Sequence, residues 1–200
     1  MTSTAQSYTP DTLIGAALAP LDWTRSVSLV VAFSLLTALC AQFYIPMWPV
    51  PITGSTFAVL LTGALLGSRL GAAALIVYLA EGAVGLPFFY GGHGGVGHLL
   101  GQTGGYLFAF PAAAFITGAF AENGWDKKVF SAVAAMAVGS LVILLSGWAW
   151  FALVTQTPLL SAFKITVAPY LIGDVIKILL AAGALPLGWK LLRRGASDKA

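Results

Sequence analysis

The feature that most constrains this sequence is a series of apolar runs separated by proline, glycine or clustered charge. Hydrophobic residues make up 58% of the 200 residues and charged residues only 8%, whereas a soluble domain carries about 25% charged residues. So few charges cannot cover a water-facing surface. We therefore predict an all-α integral membrane protein, because a helix satisfies its own backbone hydrogen bonds in lipid.

Six apolar runs are candidates for membrane spans, and they predict a compact bundle of six transmembrane helices. A straight span needs roughly 20 apolar residues, so the second and third runs are short. We expect flanking residues or burial within the bundle to compensate for their length. The runs are 27–44, 55–66, 72–86, 105–121, 129–154 and about 163–192.

The positions of lysine and arginine test this count. With six spans, eight basic residues fall on one side, and Lys164 is the exception in the opposite loops. By the positive-inside rule, both termini are then cytoplasmic. This placement explains the basic pI of about 9.1 without a nucleic-acid partner. The eight residues are Arg25, Arg69, Lys127, Lys128, Lys190, Arg193, Arg194 and Lys199.

The sequence divides into an N-terminal segment (1–22), a membrane domain (23–192) and a basic cytoplasmic tail (193–200). Pro10 and Asp11 are a plausible helix start, and an apolar stripe follows, which fits a short interfacial helix. A disordered tail fits the composition equally well. The stripe consists of Leu13, Ile14, Ala17, Leu18 and Leu21.

The glycine-rich stretch 91–106 contains the spacing Gly92-x-Gly94-x-x-Gly97. A dinucleotide fingerprint needs a strand before the glycines, a helix after them and an acidic residue about 20 positions on. Here an apolar span precedes them, and the sequence contains no Gly-Lys pair for a P-loop. We interpret the spacing as a coincidence of glycine density, so no ATP hydrolysis is expected of this chain.

The same stretch contains two histidines, His93 and His98. Two are too few for a metal site, and we predict that they belong to a solvated or capping loop. No metal or cofactor is expected.

Three ionisable residues lie within the predicted spans: Glu81, Asp174 and Lys177. Each costs about 2.5–3.5 kcal/mol at a helix centre, and such residues usually mark a site or pathway. Asp174 and Lys177 share a helix face. They could simply neutralise each other, but a ligand role is favoured, since together they suit a small molecule with N–H and C=O edges. Glu81 lies on the same face as Tyr78; both are candidate ligand contacts, and Glu81 could instead accept a proton. No nucleophile–base or metal motif points to an enzyme.

Four segments, taken in order, resemble the BioY family. They are PVPITGSTFAVLLTGALLGSRLGA (49–72), YLAEGAVGLPFF (78–89), GQTGGYLFAF (101–110) and APYLIGDVIK (168–177). The resemblance covers about residues 25–192 and leaves the tail before Trp23 outside. It implies the substrate-binding S component of an energy-coupling factor vitamin transporter, in the bacterial plasma (inner) membrane. Such a component captures biotin from outside and works with a transmembrane coupling protein and two cytoplasmic ATPases. A self-sufficient biotin carrier, with Glu81 coupling protons, and an S component for another vitamin remain alternatives.

The resemblance also implies site residues. Asp174 and Lys177 match the biotin contacts of the family's G-D-x-x-K motif. The loop after the third span and the segment before the fourth add Phe89, Tyr90, Gln102 and Tyr106. Gln102 replaces a proline that the family usually carries, and Glu81 stands where many members have an apolar residue. The family's coupling face, Ala-x-x-x-Ala, is reduced to two small-residue pairs on the first span. They are Ser28 with Ala32 and Ser34 with Ala38.

Overall fold

The computed structural model describes residues 12–18 and 21–197, with side chains up to residue 192. The helices in this part of the chain are α1 (Leu13–Leu18), α2 (Trp23–Ala41), α3 (Ser55–Leu66), α4 (Ser68–Ala83), α5 (Val96–Leu99), α6 (Gly104–Glu122), α7 (Val129–Thr155), α8 (Leu159–Thr166) and α9 (Tyr170–Ser197). Short 3₁₀ turns cover Tyr90–Gly92 and Trp125–Lys127. Two strands, β1 (Tyr44–Ile45) and β2 (Ile52–Thr53), pair antiparallel in a small hairpin.

A helix occupies each of the six predicted apolar runs, and the all-α prediction is confirmed. Within the described residues, four helices are long and apolar enough to cross a membrane: α2, α6, α7 and α9 up to Leu192. The helices α3 and α4 have only 12 and 16 residues. They correspond to the two runs that the sequence marks as short.

Two predicted boundaries are wrong. The third run begins at Ser68, not at residue 72, because Gly67 alone separates α3 from α4 and has a φ of 86° that favours glycine. Arg69 therefore lies in the first turn of a helix. The sixth run is two helices rather than one, since the chain leaves α8 after Thr166 and re-enters a helix only after Pro169, which lacks a backbone donor.

The helix α6 is the centre of the bundle and packs against α3, α4 and α7. Glycines set the close approach of these helices. A Cβ atom added to Gly63 of α3 would lie 2.3 Å from the carbonyl oxygen of Ala114 in α6. One added to Gly105 of α6 would lie 2.1 Å from Cβ of Trp150 in α7. Small residues thus bring helix backbones into contact, as is common in membrane bundles.

Polar contacts join elements at two opposite ends of the bundle. At one end, which we call the junction end, the carboxylate of Glu122 (α6) accepts a hydrogen bond of 2.8 Å from the backbone N–H of Ser68 (α4). The indole N–H of Trp189 (α9) donates to Asp126, in the connection between α6 and α7, at 2.6 Å. This end therefore gathers the Gly67 junction, the α6–α7 connection and the later part of α9.

The other end carries the β-hairpin, and we call it the hairpin end. There, Gln42, just after α2, donates to the carbonyl of Phe89 at 3.1 Å. The indole of Trp150 donates to the carbonyl of Gly101 at 2.8 Å. The hairpin, the glycine-rich stretch, the end of α7 and the start of α9 thus meet at this end.

The N-terminal helix α1 packs against α3 and α9, so residues 12–18 are not a disordered tail. Ile14 lies against the core and Leu21 is buried. Leu18 is exposed, so the predicted stripe does not face the bundle along its whole length. The predicted start at Pro10 and Asp11 lies outside the described residues.

The two small-residue pairs of α2 lie on different faces. Ser34 and Ala38 are buried, with 0% and 6% of their surface exposed. Ser28 and Ala32 are exposed. Only the pair Ser28 and Ala32 is open to a partner in this conformation.

Candidate functional site

A cavity opens at the hairpin end, between the hairpin, the glycine-rich stretch and the helices α3, α4, α6, α7 and α9. The space between its walls amounts to about 610 Å³ and includes a part that is open to solvent. Its floor is apolar and is formed by Tyr78, Leu107, Phe110, Ile143 and Leu144.

The charged pair of α9 faces this cavity. The oxygen Oδ1 of Asp174 lies 3.7 Å from Nζ of Lys177, which is beyond hydrogen-bond range. The other oxygen, Oδ2, accepts a hydrogen bond from the hydroxyl of Ser140 in α7. Since a carboxylate has about four acceptor positions, Oδ1 retains the capacity to accept a hydrogen bond from a ligand.

Lys177 is tied to the wall opposite α9. Its ammonium donates to the carbonyl of Thr53 at 2.8 Å and to the hydroxyl of Thr56 at 2.9 Å. Tyr170, one turn before Asp174, donates its hydroxyl to the carbonyl of Val50. These bonds connect the start of α9 to the hairpin, so the hairpin wall and the charged pair form one unit.

Two further phenols brace the cavity. The hydroxyl of Tyr78 donates to the carbonyl of Phe88 at 3.2 Å. The hydroxyl of Tyr106 donates to the carbonyl of Thr166 at 2.8 Å, and its ring fills the space beside Gly147, where an added Cβ would lie 2.3 Å from the ring. Their rings present apolar surface to a ligand, while their polar atoms hold the surrounding backbone.

The glycine-rich stretch forms another wall of the cavity and contributes a cluster of aromatic rings to it. The rings of His93 and His98 stack with centroids 5.2 Å apart, and Phe89 stacks on His98 at the same distance. Tyr90 meets His98 edge-on at 5.1 Å. Burial, and to a smaller extent His93, lower the pKa of His98 from its ordinary value. A largely neutral His98 therefore faces the cavity at neutral pH.

The structure brings together five of the eight predicted site residues at the cavity wall. They are Tyr78, Tyr90, Tyr106, Asp174 and Lys177. Three others lie elsewhere. Phe89 is fully buried behind Tyr78, Gln102 is exposed, and Glu81 is outside the lining, with Oε2 buried and lacking a hydrogen-bond partner among the described residues.

Several polar residues of the site, among them Thr53, Thr56, Ser140 and His98, are absent from the sequence-based prediction. Thr53 contributes a backbone carbonyl, which no side-chain pattern reveals, and Thr56 and Ser140 are small residues in apolar runs. His98 lines the cavity, which agrees with a capping loop rather than a solvated one. His93 is exposed, as expected for a solvated loop, and contacts the carbonyl of Tyr90 through Nδ1 at 2.7 Å.

Fold and site together define a helical membrane protein with a pocket for a small, partly polar ligand at one end. A solved structure described as the S-component for biotin from an ECF-type ABC transporter has the same fold. The TM-score is 0.77 at 24% identity, over 84% of this chain and 92% of that one.

Curated relatives are similar over most of their length. A probable biotin transporter BioY of Pyrococcus horikoshii is 40% identical over 76% of this chain and 89% of its own length. The biotin transporter BioY of Rhizobium etli is 34% identical over 82% and 91% of the two chains. That of Thermotoga maritima is 35% identical over 75% and 87%.

The model of the BioY family matches residues 7–194, and this chain belongs to that family. The family prediction is thus confirmed, and the relatives' names describe transporters rather than enzymes. The match begins at residue 7, so the expectation that the tail before Trp23 lies outside the resemblance is wrong.

Proposed function

We propose that this chain captures biotin from outside the cell and passes it across the membrane with an ATPase-driven energy-coupling module. The observation that carries the proposal is the Asp174–Lys177 pair, which faces a cavity with an acceptor oxygen still available. Named relatives are biotin transporters, which supports biotin over other vitamins.

Biotin has a ureido ring with N–H and C=O edges, an apolar sulfur ring and a chain that ends in a carboxylate. In this proposal Oδ1 of Asp174 accepts a ureido N–H, and the ammonium of Lys177 donates to the ureido carbonyl. Tyr78 and Tyr106 pack against the apolar ring. Phe89 acts indirectly, because it contacts Tyr78 with centroids 5.7 Å apart.

In the same proposal, the protein lies in the bacterial plasma (inner) membrane. It crosses this membrane six times, and both termini are cytoplasmic. The junction end gathers Arg69, Lys127 and Lys128, which supports its placement inside. A transmembrane coupling protein and two ATPases would supply the energy. We place the coupling face at Ser28 and Ala32, because Ser34 and Ala38 are buried.

A binding titration on the purified protein in detergent tests the ligand. We expect biotin to bind in the nanomolar range and riboflavin and thiamine to give no heat. Asp174→Asn removes the charge but keeps the size of the side chain, and should weaken biotin binding by roughly ten- to a hundredfold. Tight binding of riboflavin or thiamine without biotin binding would refute biotin as the ligand.

Glu81 favours one second candidate, a self-sufficient carrier driven by protons. One of its carboxylate oxygens is buried without a partner among the described residues, and unpaired acids within membranes often mark proton pathways. Liposomes that contain this chain alone separate the two ideas. The coupled component gives no net biotin uptake there, whereas the carrier gives uptake that collapses with the proton gradient and with Glu81→Gln.

A further inference from the structure

We propose that His98 recognises the carboxylate of the ligand, an inference that rests on the proposed function. The starting observation is that Nε2 of His98 is buried at the cavity wall without a hydrogen-bond partner among the described residues. A buried ring nitrogen without a partner is costly. A ligand group that pairs with it removes that cost on binding.

The hydrogen-bond donors around the cavity are mostly committed elsewhere. The hydroxyls of Tyr78, Tyr106 and Tyr170 all donate to backbone carbonyls. The ammonium of Lys177 donates to Thr53 and Thr56 and faces Asp174. The remaining N–H of Lys177 is assigned to the ureido carbonyl, so Nε2 of His98 is the other side-chain nitrogen left for a ligand among the described lining residues.

The charge of Asp174 also determines which way the ligand lies in the cavity. A carboxylate beside Asp174 would be repelled by the like charge. Residues 82–121 contain no aspartate or glutamate, and Glu81, the acid just before them at the end of α4, lies outside the cavity lining. The ureido ring is thus directed toward α9 and the carboxylate toward His98.

The aromatic cluster holds His98 in place for this task. Phe89 and His93 stack on its ring at 5.2 Å each, and Tyr90 contacts it edge-on. The titratable groups in this cluster are His93 and Tyr90, and neither is an anion at neutral pH. Neutral His98 donates its Nε2–H to the carboxylate, and a bound anion favours the protonated ring further.

The test compares biotin with its methyl ester, which keeps the ureido ring but lacks the negative charge. Both are titrated by calorimetry into the wild-type protein and into His98→Phe, which keeps an aromatic ring in the stack. We expect wild type to prefer biotin over the ester by about tenfold or more. In His98→Phe this preference should fall to near one, mainly through weaker binding of biotin.

Two further variants control for misfolding and for a general effect of changing a ring in the stack. His98→Gln retains an N–H near the position of Nε2 and should keep part of the preference, even if the phenylalanine variant folds poorly. His93→Phe alters the neighbouring ring in the stack and should keep the wild-type preference. Equal weakening of biotin and ester in both His98 variants would assign His98 a purely structural role and overturn the inference.

The experiment also separates this inference from the proposed function. Wild-type protein that binds biotin and the ester equally well leaves biotin capture intact and refutes the role of His98. Wild-type protein that binds neither compound refutes both.

Discussion

At the scale of single residues, the site depends on how the carboxylate of Asp174 is oriented. Ser140 of α7 donates to one oxygen, and the other oxygen, 3.7 Å from Nζ of Lys177, stays available to a ligand in the cavity that Asp174 lines. Both residues are buried, with 9% of Asp174 and 5% of Ser140 exposed. A hydrogen bond to a buried carboxylate contributes more than one between neutral groups.

We predict that Ser140→Ala weakens biotin binding, because the carboxylate loses its fixed donor and turns away from the ligand. A charge-assisted bond of about 1.5–3 kcal/mol corresponds to roughly a ten- to hundredfold loss of affinity. Calorimetric titration measures the loss. Ser146→Ala is the matched control, since Ser146 lies on the same helix and is exposed. Wild-type affinity in Ser140→Ala, or an equal loss in the control, would contradict this account.

The charged members of the site could be predicted from the sequence, whereas its neutral members could not. Asp174 and Lys177 are conspicuous because charge within an apolar run is expensive and needs a reason. Ser140 is one of several serines in α7, and nothing in the sequence shows which of them meets Asp174. Glu81 is equally conspicuous, yet the structure places it away from the cavity lining, since a helical face alone does not fix how close a side chain comes to a pocket.

At the scale of elements, helix contacts in this bundle depend on glycine at specific positions. Gly105 lies where α6 crosses α7, and an added Cβ would lie 2.1 Å from Cβ of Trp150 and 2.7 Å from the carbonyl oxygen of Ser146. Neither atom is the free end of a flexible side chain. A methyl group at residue 105 can therefore fit only if the two helices move apart.

We predict that Gly105→Ala destabilises the protein by about 1–3 kcal/mol, the usual cost of overpacking, which lowers the melting temperature by roughly 2–12 °C. Thermal unfolding in detergent gives the measurement. Gly97→Ala serves as the control, because an added Cβ there meets no atom within 4 Å. An unchanged melting temperature for Gly105→Ala would show that α6 and α7 do not meet as described.

The elements themselves follow from the apolar runs, and their ends follow less well. Each run contains a helix because a continuous apolar segment has no better way to satisfy its backbone. The apolar pattern predicts that the third run begins at residue 72, whereas α4 begins at Ser68, because one glycine with positive φ makes the whole turn. Hydropathy does not reveal the break between α8 and α9, because Val167 and Ala168 are apolar like the residues of a span. In the sequence, only Pro169 marks the interruption.

At the scale of the whole molecule, the contacts define two ends, and the basic residues separate between them. Arg69, Lys127 and Lys128 belong to the junction end, whereas Lys164 lies in α8 beside the hairpin end. The hairpin end also holds the cavity. If the positive-inside rule applies, the cavity opens away from the cytoplasm, which is the orientation that an uptake protein requires.

Surface labelling of single cysteines tests this orientation. The one native cysteine, Cys40, is first replaced by alanine, and then either Lys128→Cys or Ser161→Cys is introduced; both positions are exposed. We expect a membrane-impermeant maleimide to label residue 161 in intact cells and residue 128 only after lysis, because the basic connection between α6 and α7 stays inside. Biotin binding by both variants confirms that they fold. Labelling of residue 128 in intact cells would invert the molecule, turn the cavity toward the cytoplasm and rule out capture of biotin from outside.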